Sequence, residues 1–407
     1  MSKLEALFGL PQKVNFCKTC CYSNQRPSSV QEFRHSVQSK KVTLDFDKRG
    51  ICDACNHAEK KKTINWIERE AQLIDLLNKY RKNDGSYDCV VPGSGGKDSV
   101  YASHILKYKY GMNPLTITWP PILYTDYGYQ NFKSWIEVGG FDNITFKPSG
   151  KVMKVLTKLA IKNLLHPFQT FILGQKNIAP KIAQKFNIPL VFYGESESEY
   201  GNPIAETNVS LRNKNYYASK NINKILLAGC SLKYLNKKFN LSLKDLDIFL
   251  PLDHRSLKNF NLQVHYLGYY TKWVPQEAYY YSVEKVGFKP RPFRTEGTYS
   301  KYNSIDDKID DLHYYTTFIK FGIGRATYDS SQEIRNNHLK REEAKILVKR
   351  FDGEKPMRYL KEILNYIDLK ETDFFKICDN FRSPHIWKKV NNNYKLRHTV
   401  NLVGEDD

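Results

Sequence analysis

The stretch YDCVVPGSGGKDSVYASHILKYKYG, beginning at Tyr87, limits what this chain can fold into more than any other. Cys89 to Val91 are apolar and strand-forming, Pro92 to Lys97 carry three glycines, and Asp98 to about Tyr110 have helical spacing that stops at Gly111. The order is buried strand, glycine loop, helix. Glycines let backbone N–H groups approach phosphate oxygens, and the positive end of the following helix completes an anion cradle. A nucleotide is the expected occupant. A Walker A loop would need four residues between its first Gly and its Gly-Lys pair, then Ser or Thr; here Asp98 follows Lys97. A ligand-free tight turn is the bland alternative, but such a turn seldom combines three glycines with two hydroxyls and a carboxylate.

The flanking pattern alternates. An amphipathic helix with Ile64, Ile67, Ala71, Ile74 and Leu77 on one face precedes the loop. Strands are predicted over 114–119, 143–148 and 188–195, with helices near 151–165 and 175–187. Strand and helix in turn predict an α/β fold, a doubly wound parallel sheet with ligands at the carboxyl ends of its strands. Glu195, Glu197 and Glu199 sit at such an end, where carboxylates suit Mg²⁺ or substrate. Glu195 is favoured because it directly follows the strand, and Glu197 reads equally well as part of a solvated acidic loop.

Five of the eight cysteines lie in the first 55 residues. Cys17-x-x-Cys20 and Cys52-x-x-Cys55 are two knuckles whose thiolates can converge on one tetrahedral zinc, a closed and therefore structural site. Cys21 is an open alternative to Cys20 as second ligand, and four buried free thiols are the reading without metal. Cys89, Cys230 and Cys378 read as core residues.

The 407 residues are 41% hydrophobic and 26% charged, an ordinary globular mixture that excludes a fibrous or disordered chain. No apolar run reaches membrane-spanning length and no signal peptide is evident, so a cytoplasmic protein is expected. The net charge of +20, densest over 201–300, favours anionic partners. Tyr269, Tyr270, Tyr279, Tyr280 and Tyr281 in that segment read either as a basic aromatic surface or as a tyrosine-lined core. The expected organisation is a four-cysteine zinc-knuckle segment over 1–62, a nucleotide domain over 63–210, a substrate-binding region over 211–330 and helices with a polar tail over 331–407.

Ser94 to Ser99 resembles the SGGxDS signature of the PP-loop ATP pyrophosphatases, whose fold is HUP-like and Rossmann-type. With the paired knuckles, YGES and the run EGTYSKYNSIDDKIDDLHYYTTFIKFGIGRATYDSSQEIRNNHLKREEA, the chain resembles the N-acetyl sugar amidotransferases of the WbpG and PseA type over nearly its whole length. That resemblance implies ATP and Mg²⁺ as cofactors besides structural Zn²⁺. Ser94, Gly95, Gly96 and Ser99 would hold the pyrophosphate, Asp98 would help to position Mg²⁺, and Lys97 occupies a variable place in the motif. It further implies that Asp306, Asp307, Lys308, Gly324 and Arg325 lie near the active site, with Glu195, Asp307, Lys308 and Arg325 the substrate candidates. Arg325 is preferred because guanidinium binds carboxylate or phosphate bidentately. Without the family, IDDKIDD is an acidic turn and FGIG a flexible bend.

The implied activity is conversion of an acetamido sugar, expected to be acidic and nucleotide-linked or nonulosonic (pseudaminic acid-type), into an acetamidino sugar. The product would serve lipopolysaccharide O-antigen, capsule or flagellar glycan. No glutaminase is evident: Ser2 stands where an N-terminal nucleophile would need Cys, and Cys230 lacks a G-x-C-x-G elbow. A HisH-like glutaminase subunit and a HisF-like ammonia-channelling subunit are the implied partners, and nucleic acid is not expected. The rival readings are a tRNA-thiolating PP-loop enzyme, which would place reactive cysteines beside the ATP site, and a non-enzymatic zinc- and RNA-binding protein.

Overall fold

Side chains along 89–92 point alternately to two covered faces, and that places this strand at the centre of the fold. The computed structural model describes residues 4–30, 32–202 and 209–401; the tail ending in Glu405, Asp406 and Asp407, and Ser2, lie outside the described residues. Two helices, α1 (Asp53–Lys61) and α2 (Trp66–Tyr80), lead into β1 (Cys89–Pro92). There follow α3 (Lys97–His104), β2 (Pro114–Thr118), α4 (Asp126–Glu137), β3 (Asn143–Thr145), α5 (Gly150–Leu164), α6 (Gln169–Lys185), β4 (Leu190–Tyr193) and, after a long excursion, β5 (Gln263–Tyr266). The five strands form one parallel sheet in the order β3-β2-β1-β4-β5. The doubly wound α/β expectation therefore holds.

Cys89 and Val91 of β1, with Leu190 and Phe192 of β4, face Leu73 and Leu77 of α2 and Ala102 of α3. Val90 and Val191 point the opposite way, toward Leu156 of α5 and Ile178 of α6. Each apolar side chain so enclosed contributes about 1.5–3 kcal/mol. The face of α2 is the expected one only in part: Leu77 is fully buried, but Ile67 is 83% exposed and Ile74 is also exposed, and Leu73, outside the expected stripe, is fully buried instead. The sheet lies one residue around the helix from the isoleucine stripe, and Arg69 covers Tyr269 at 3.6 Å. Beyond His104, α3 continues as a π turn over Ile105–Lys109, with Tyr110 donating to the Ile105 carbonyl.

The C-terminal half adds α7 (Pro275–Val286), α8 (Ile309–Phe321), α9 (Arg325–Arg335), α10 (Arg341–Phe351), α11 (Met357–Tyr366) and α12 (Glu371–Asn380). An antiparallel hairpin follows, β6 (Trp387–Val390) and β7 (Asn393–Leu396), where the sequence reads only as a polar tail. Ile309 and Ile319 of α8, Leu360 and Ile363 of α11 and Phe374 of α12 belong to the same apolar cluster as Val90, so the helices close over the sheet as one body. Most of the tyrosine-rich segment is internal: Tyr270 is buried, Tyr279 stacks on Tyr302 with centroids 4.2 Å apart, and Tyr280 alone of the five is largely exposed. Among the described residues, no helix is long and apolar enough to cross a membrane.

Candidate active site

The glycine loop leaves β1 at the carboxyl edge of the sheet, where strand order turns from β1-β2 to β1-β4 and a crevice opens. Gly95 has φ +87, and a Cβ there would come within 2.5 Å of the Phe132 backbone on α4. Gly96 differs: its φ is −68, and the nearest atom to an added Cβ is Ser94 Oγ at 3.9 Å, so it faces open space. Among the described residues, the amides of Gly95 and Gly96 have no acceptor, and no side chain caps the helix that begins at Lys97. Backbone donors converging on an open, uncapped helix start fit an anionic group.

Side chains brace the loop. Ser99 Oγ donates to the Gly96 carbonyl at 2.9 Å, and Ser94 Oγ donates to Asp306 Oδ2 at 2.7 Å. Lys97 Nζ pairs with Asp98 Oδ2 at 2.6 Å, and Trp273 Nε1 donates to Asp98 Oδ1 at 3.1 Å. Ser94, Gly96 and Asp98 border two cavities. One, of about 240 Å³, runs over the strand ends between Trp119, Lys176, Tyr193 and Glu195. The other, of about 250 Å³, opens toward Tyr200, Tyr302, Asp310, Arg325, Tyr328 and Asp329. Burial, and then the charge of Asp98, pushes the Glu195 carboxyl above its usual range, with Lys176 opposing. Two facing carboxylates at a phosphate cradle match the one or two that Mg²⁺ ordinarily takes beside substrate phosphates.

Arg325 projects into the second cavity from the first turn of α9. It donates to the Tyr314 hydroxyl, while its Nε lies 2.9 Å from Asp329 Oδ1, misaligned for a hydrogen bond. Burial opposes its charge, but Asp329, Tyr314 and Asp310 outweigh burial and hold the guanidinium proton more firmly than usual. Asp310 in turn is pushed well above the usual carboxylate range by burial and by Asp306 and Asp307.

Asp307 and Lys308 stand apart from this group. Asp307 is 3% exposed and accepts from the amides of Ile122, Leu123 and Ile309, so it fastens the loop after β2 to the start of α8. Burial pushes its carboxyl up to about 7 against the pull of those amides. Lys308 points outward to Glu362 at 2.8 Å. The pair borders neither cavity, so the substrate contact expected of them is not what the structure places there. Glu197 is not part of a solvated loop either: it pairs with buried Arg212 at 2.9 Å, and Glu199 receives Lys61 of α1.

Sγ atoms of Cys17, Cys20, Cys52 and Cys55 lie within 4.8 Å of one another, all buried. Zn–S bonds of about 2.3 Å in a tetrahedron put sulfurs about 3.8 Å apart, so the set fits one zinc ion. The amide of Cys20 and that of Cys52 donate to Cys17 Sγ, and the amide of Tyr22 donates to Cys20 Sγ. Cys21 turns away to pack on Ala344 and Val400, which settles the choice in favour of Cys20. The knuckles also build the site, since Tyr22 borders the second cavity and meets Tyr328 edge-on at 5.6 Å, with Arg26 against both rings. Tyr22, Tyr200, Tyr302 and Tyr328 are singled out by no spacing, although Tyr302 and Tyr328 lie inside the long C-terminal run. Asp310 does lie in the IDDKIDD run, one turn from the residues that the motif singles out.

A parallel sheet with this loop on its central strand, and carboxylates at the switch point, defines an α/β protein with an anion cradle of the nucleotide-binding kind. Residues 296–401, which hold Asp306, Asp310, Arg325 and Tyr328, match the family described as LPS biosynthesis protein WbpG-like, C-terminal domain. An uncharacterised protein of Methanocaldococcus jannaschii is 32% identical over 83 residues, 20% of this chain and 29% of that protein. The chain thus spans under a third of the curated relative it matches. Among solved structures, an NH3-dependent NAD synthetase from Campylobacter jejuni is 16% identical, with 34% of this chain and 59% of that chain covered and a TM-score of 0.27. An NMN synthetase from Francisella tularensis is 18% identical, with 48% and 82% covered and a TM-score of 0.25. Both overlaps are partial, and the fold assignment rests on strand order and loop.

Proposed function

We propose that the protein is an ATP-dependent amidotransferase that turns the acetamido group of an acidic sugar into an acetamidino group. The observation that carries this reading is the loop standing between two cavities, with Asp98 and Glu195 on the nucleotide side and charged Arg325 facing it from the domain matched to the WbpG-like family.

An amide carbonyl is a poor electrophile. Its oxygen attacks the α-phosphorus, pyrophosphate leaves against the amides of Gly95 and Gly96, and the amide nitrogen gives up its proton. Ammonia then adds to the carbon, and AMP departs carrying the former carbonyl oxygen. Bound Mg²⁺ would neutralise phosphate charge, with Asp98 and Glu195 to hold it. Arg325 is oriented to take a carboxylate or phosphate of the sugar, since Asp329 and Tyr314 fix its plane. Zinc in the four thiolates is structural and holds Tyr22 against Tyr328. The free ammonia is supplied by HisH-like and HisF-like partners, and the product enters surface-glycan synthesis in the cytoplasm.

A thiolating enzyme would set cysteines beside the nucleotide. Among the described residues, no cysteine borders either cavity. The test is mass spectrometry of nucleotide-linked acetamido sugars and nonulosonates incubated with protein, Mg-ATP and ammonium at alkaline pH. Exchange of O for NH in step with AMP and pyrophosphate is expected, and Asp98→Ala and Ser99→Ala should abolish it. AMP formed only on addition of tRNA would refute the reading.

A further inference from the structure

A third cavity, of about 160 Å³, lies behind the second one, and Tyr328 borders both. Its walls come from α6, α8 and the segment after the first cysteine knuckle, and it shares no residue with the ATP loop. His35, His166 and His313 line it in a row, ring centroids 6.3 Å and then 5.0 Å apart. The last of them adjoins Tyr314, whose hydroxyl meets Arg325 and Ser304 in the active-site cavity.

The residues of these walls keep buried polar atoms that are unsatisfied in a particular way. Gln169 is 4% exposed, and its Oε1 is committed to the Ala228 amide at 2.8 Å, which leaves Nε2 without a partner among the described residues. Nδ1 of His166 and Nδ1 of His313 are likewise unpaired. Burial drives both imidazoles toward the neutral form, and His313 is held at about 4. Neutral imidazole keeps one nitrogen as an acceptor. Lys41 and Lys320 line the same walls, Lys41 paired with Glu32 at 2.9 Å and Lys320 donating to the Leu164 carbonyl at 2.9 Å. A small neutral guest with several N–H donors and one lone pair suits walls of neutral imidazole and amide.

We infer that this cavity is the chamber through which neutral ammonia reaches the activated sugar, passing Tyr328 into the active-site cavity. The inference rests on the amidotransferase reading above. It adds that the final leg of ammonia transit is built into this chain by His166, Gln169, His313 and Thr317. The proton of ammonium stays in bulk solvent, and only NH3 enters. The C–N bond then forms in the active-site cavity as AMP leaves.

The experiment measures the ammonium concentration that half-saturates amidine formation, alongside the KM for ATP, with ammonium chloride as the only nitrogen source. Thr317→Met fills the chamber, and His166→Phe keeps the stack on His313 but removes the ring nitrogens. Each should raise half-saturation about tenfold, as loss of one or two hydrogen bonds to the passing ligand implies, with KM for ATP unmoved. Wild-type half-saturation in whichever variants fold, judged by circular dichroism, overturns the chamber. Absence of amidine from the unaltered protein with every acetamido sugar overturns the functional reading and the chamber with it.

Discussion

The two inner glycines of the loop look alike in sequence and should behave oppositely on substitution. Gly95→Ala places a side chain at φ +87, a left-handed conformation that costs about 1–2 kcal/mol. The new Cβ also lies 2.5 Å from Phe132 Cα and 2.7 Å from its amide nitrogen, atoms that no rotamer change can move. Overpacking of that kind costs about 1–3 kcal/mol. Together they destabilise by about 2–5 kcal/mol, a fall in Tm of roughly 2 to 6 °C for a chain of this length. Gly96→Ala meets nothing nearer than 3.9 Å at an ordinary φ, so its cost is the weaker helix cap, up to about 1 kcal/mol. Its methyl stands where phosphate must approach the amides, and ATP affinity should drop about tenfold or more. Thermal unfolding by circular dichroism and ATP titration by calorimetry separate the two effects. Undiminished ATP binding by Gly96→Ala would refute the cradle, and an unchanged Tm for Gly95→Ala would refute the packing argument.

Metal analysis should find one zinc per chain, lost in Cys52→Ser together with several degrees of Tm, because the thiol set is closed and buried. Arg325→Lys keeps the charge but not the planar fork, so KM for the sugar should rise more than KM for ATP; equal rises would remove Arg325 from the sugar site. Lys320 is 4% exposed, and burial, then Lys41, lowers its ammonium to about 7 against Glu32. The folded chain therefore binds fewer protons than the unfolded chain between about pH 7 and the ordinary lysine value. Stability relative to Lys320→Met should grow as pH rises through that window, and a flat difference in Tm between pH 7 and 9 would contradict it.

Features written in consecutive residues were legible before any coordinates. Strand, glycine loop and helix occupy 89–104, and each pair of cluster cysteines is one local turn, although the two pairs meet across 32 residues. The alternation of strands and helices was legible for the same reason, whereas which strands pair is seen only in the structure. Contacts made across long separations were not. Ser94 meets Asp306 over 212 residues, and nothing in either segment announces the pairing. Asp307 shows the limit most clearly: it stands beside Asp306 in an acidic run, yet three backbone amides claim its carboxylate. The face of α2 was misread in part because Leu73 and Ile74 are adjacent residues that could each join Leu77 on one side, and only the sheet decides between them.

The cysteine cluster has a consequence for how the chain matures in a cell. Cys17 to Cys55 are made ahead of the C-terminal half and hold four thiols spaced to capture a metal, while Ser331, which receives the amide of Cys21, is made 310 residues after that cysteine. The knuckles can thus be loaded and folded long before Tyr328 exists to rest on Tyr22. A cell short of zinc would then accumulate full-length chains with an intact nucleotide loop but an unsupported wall between the two inner cavities, and restoring the metal should revive them without new synthesis.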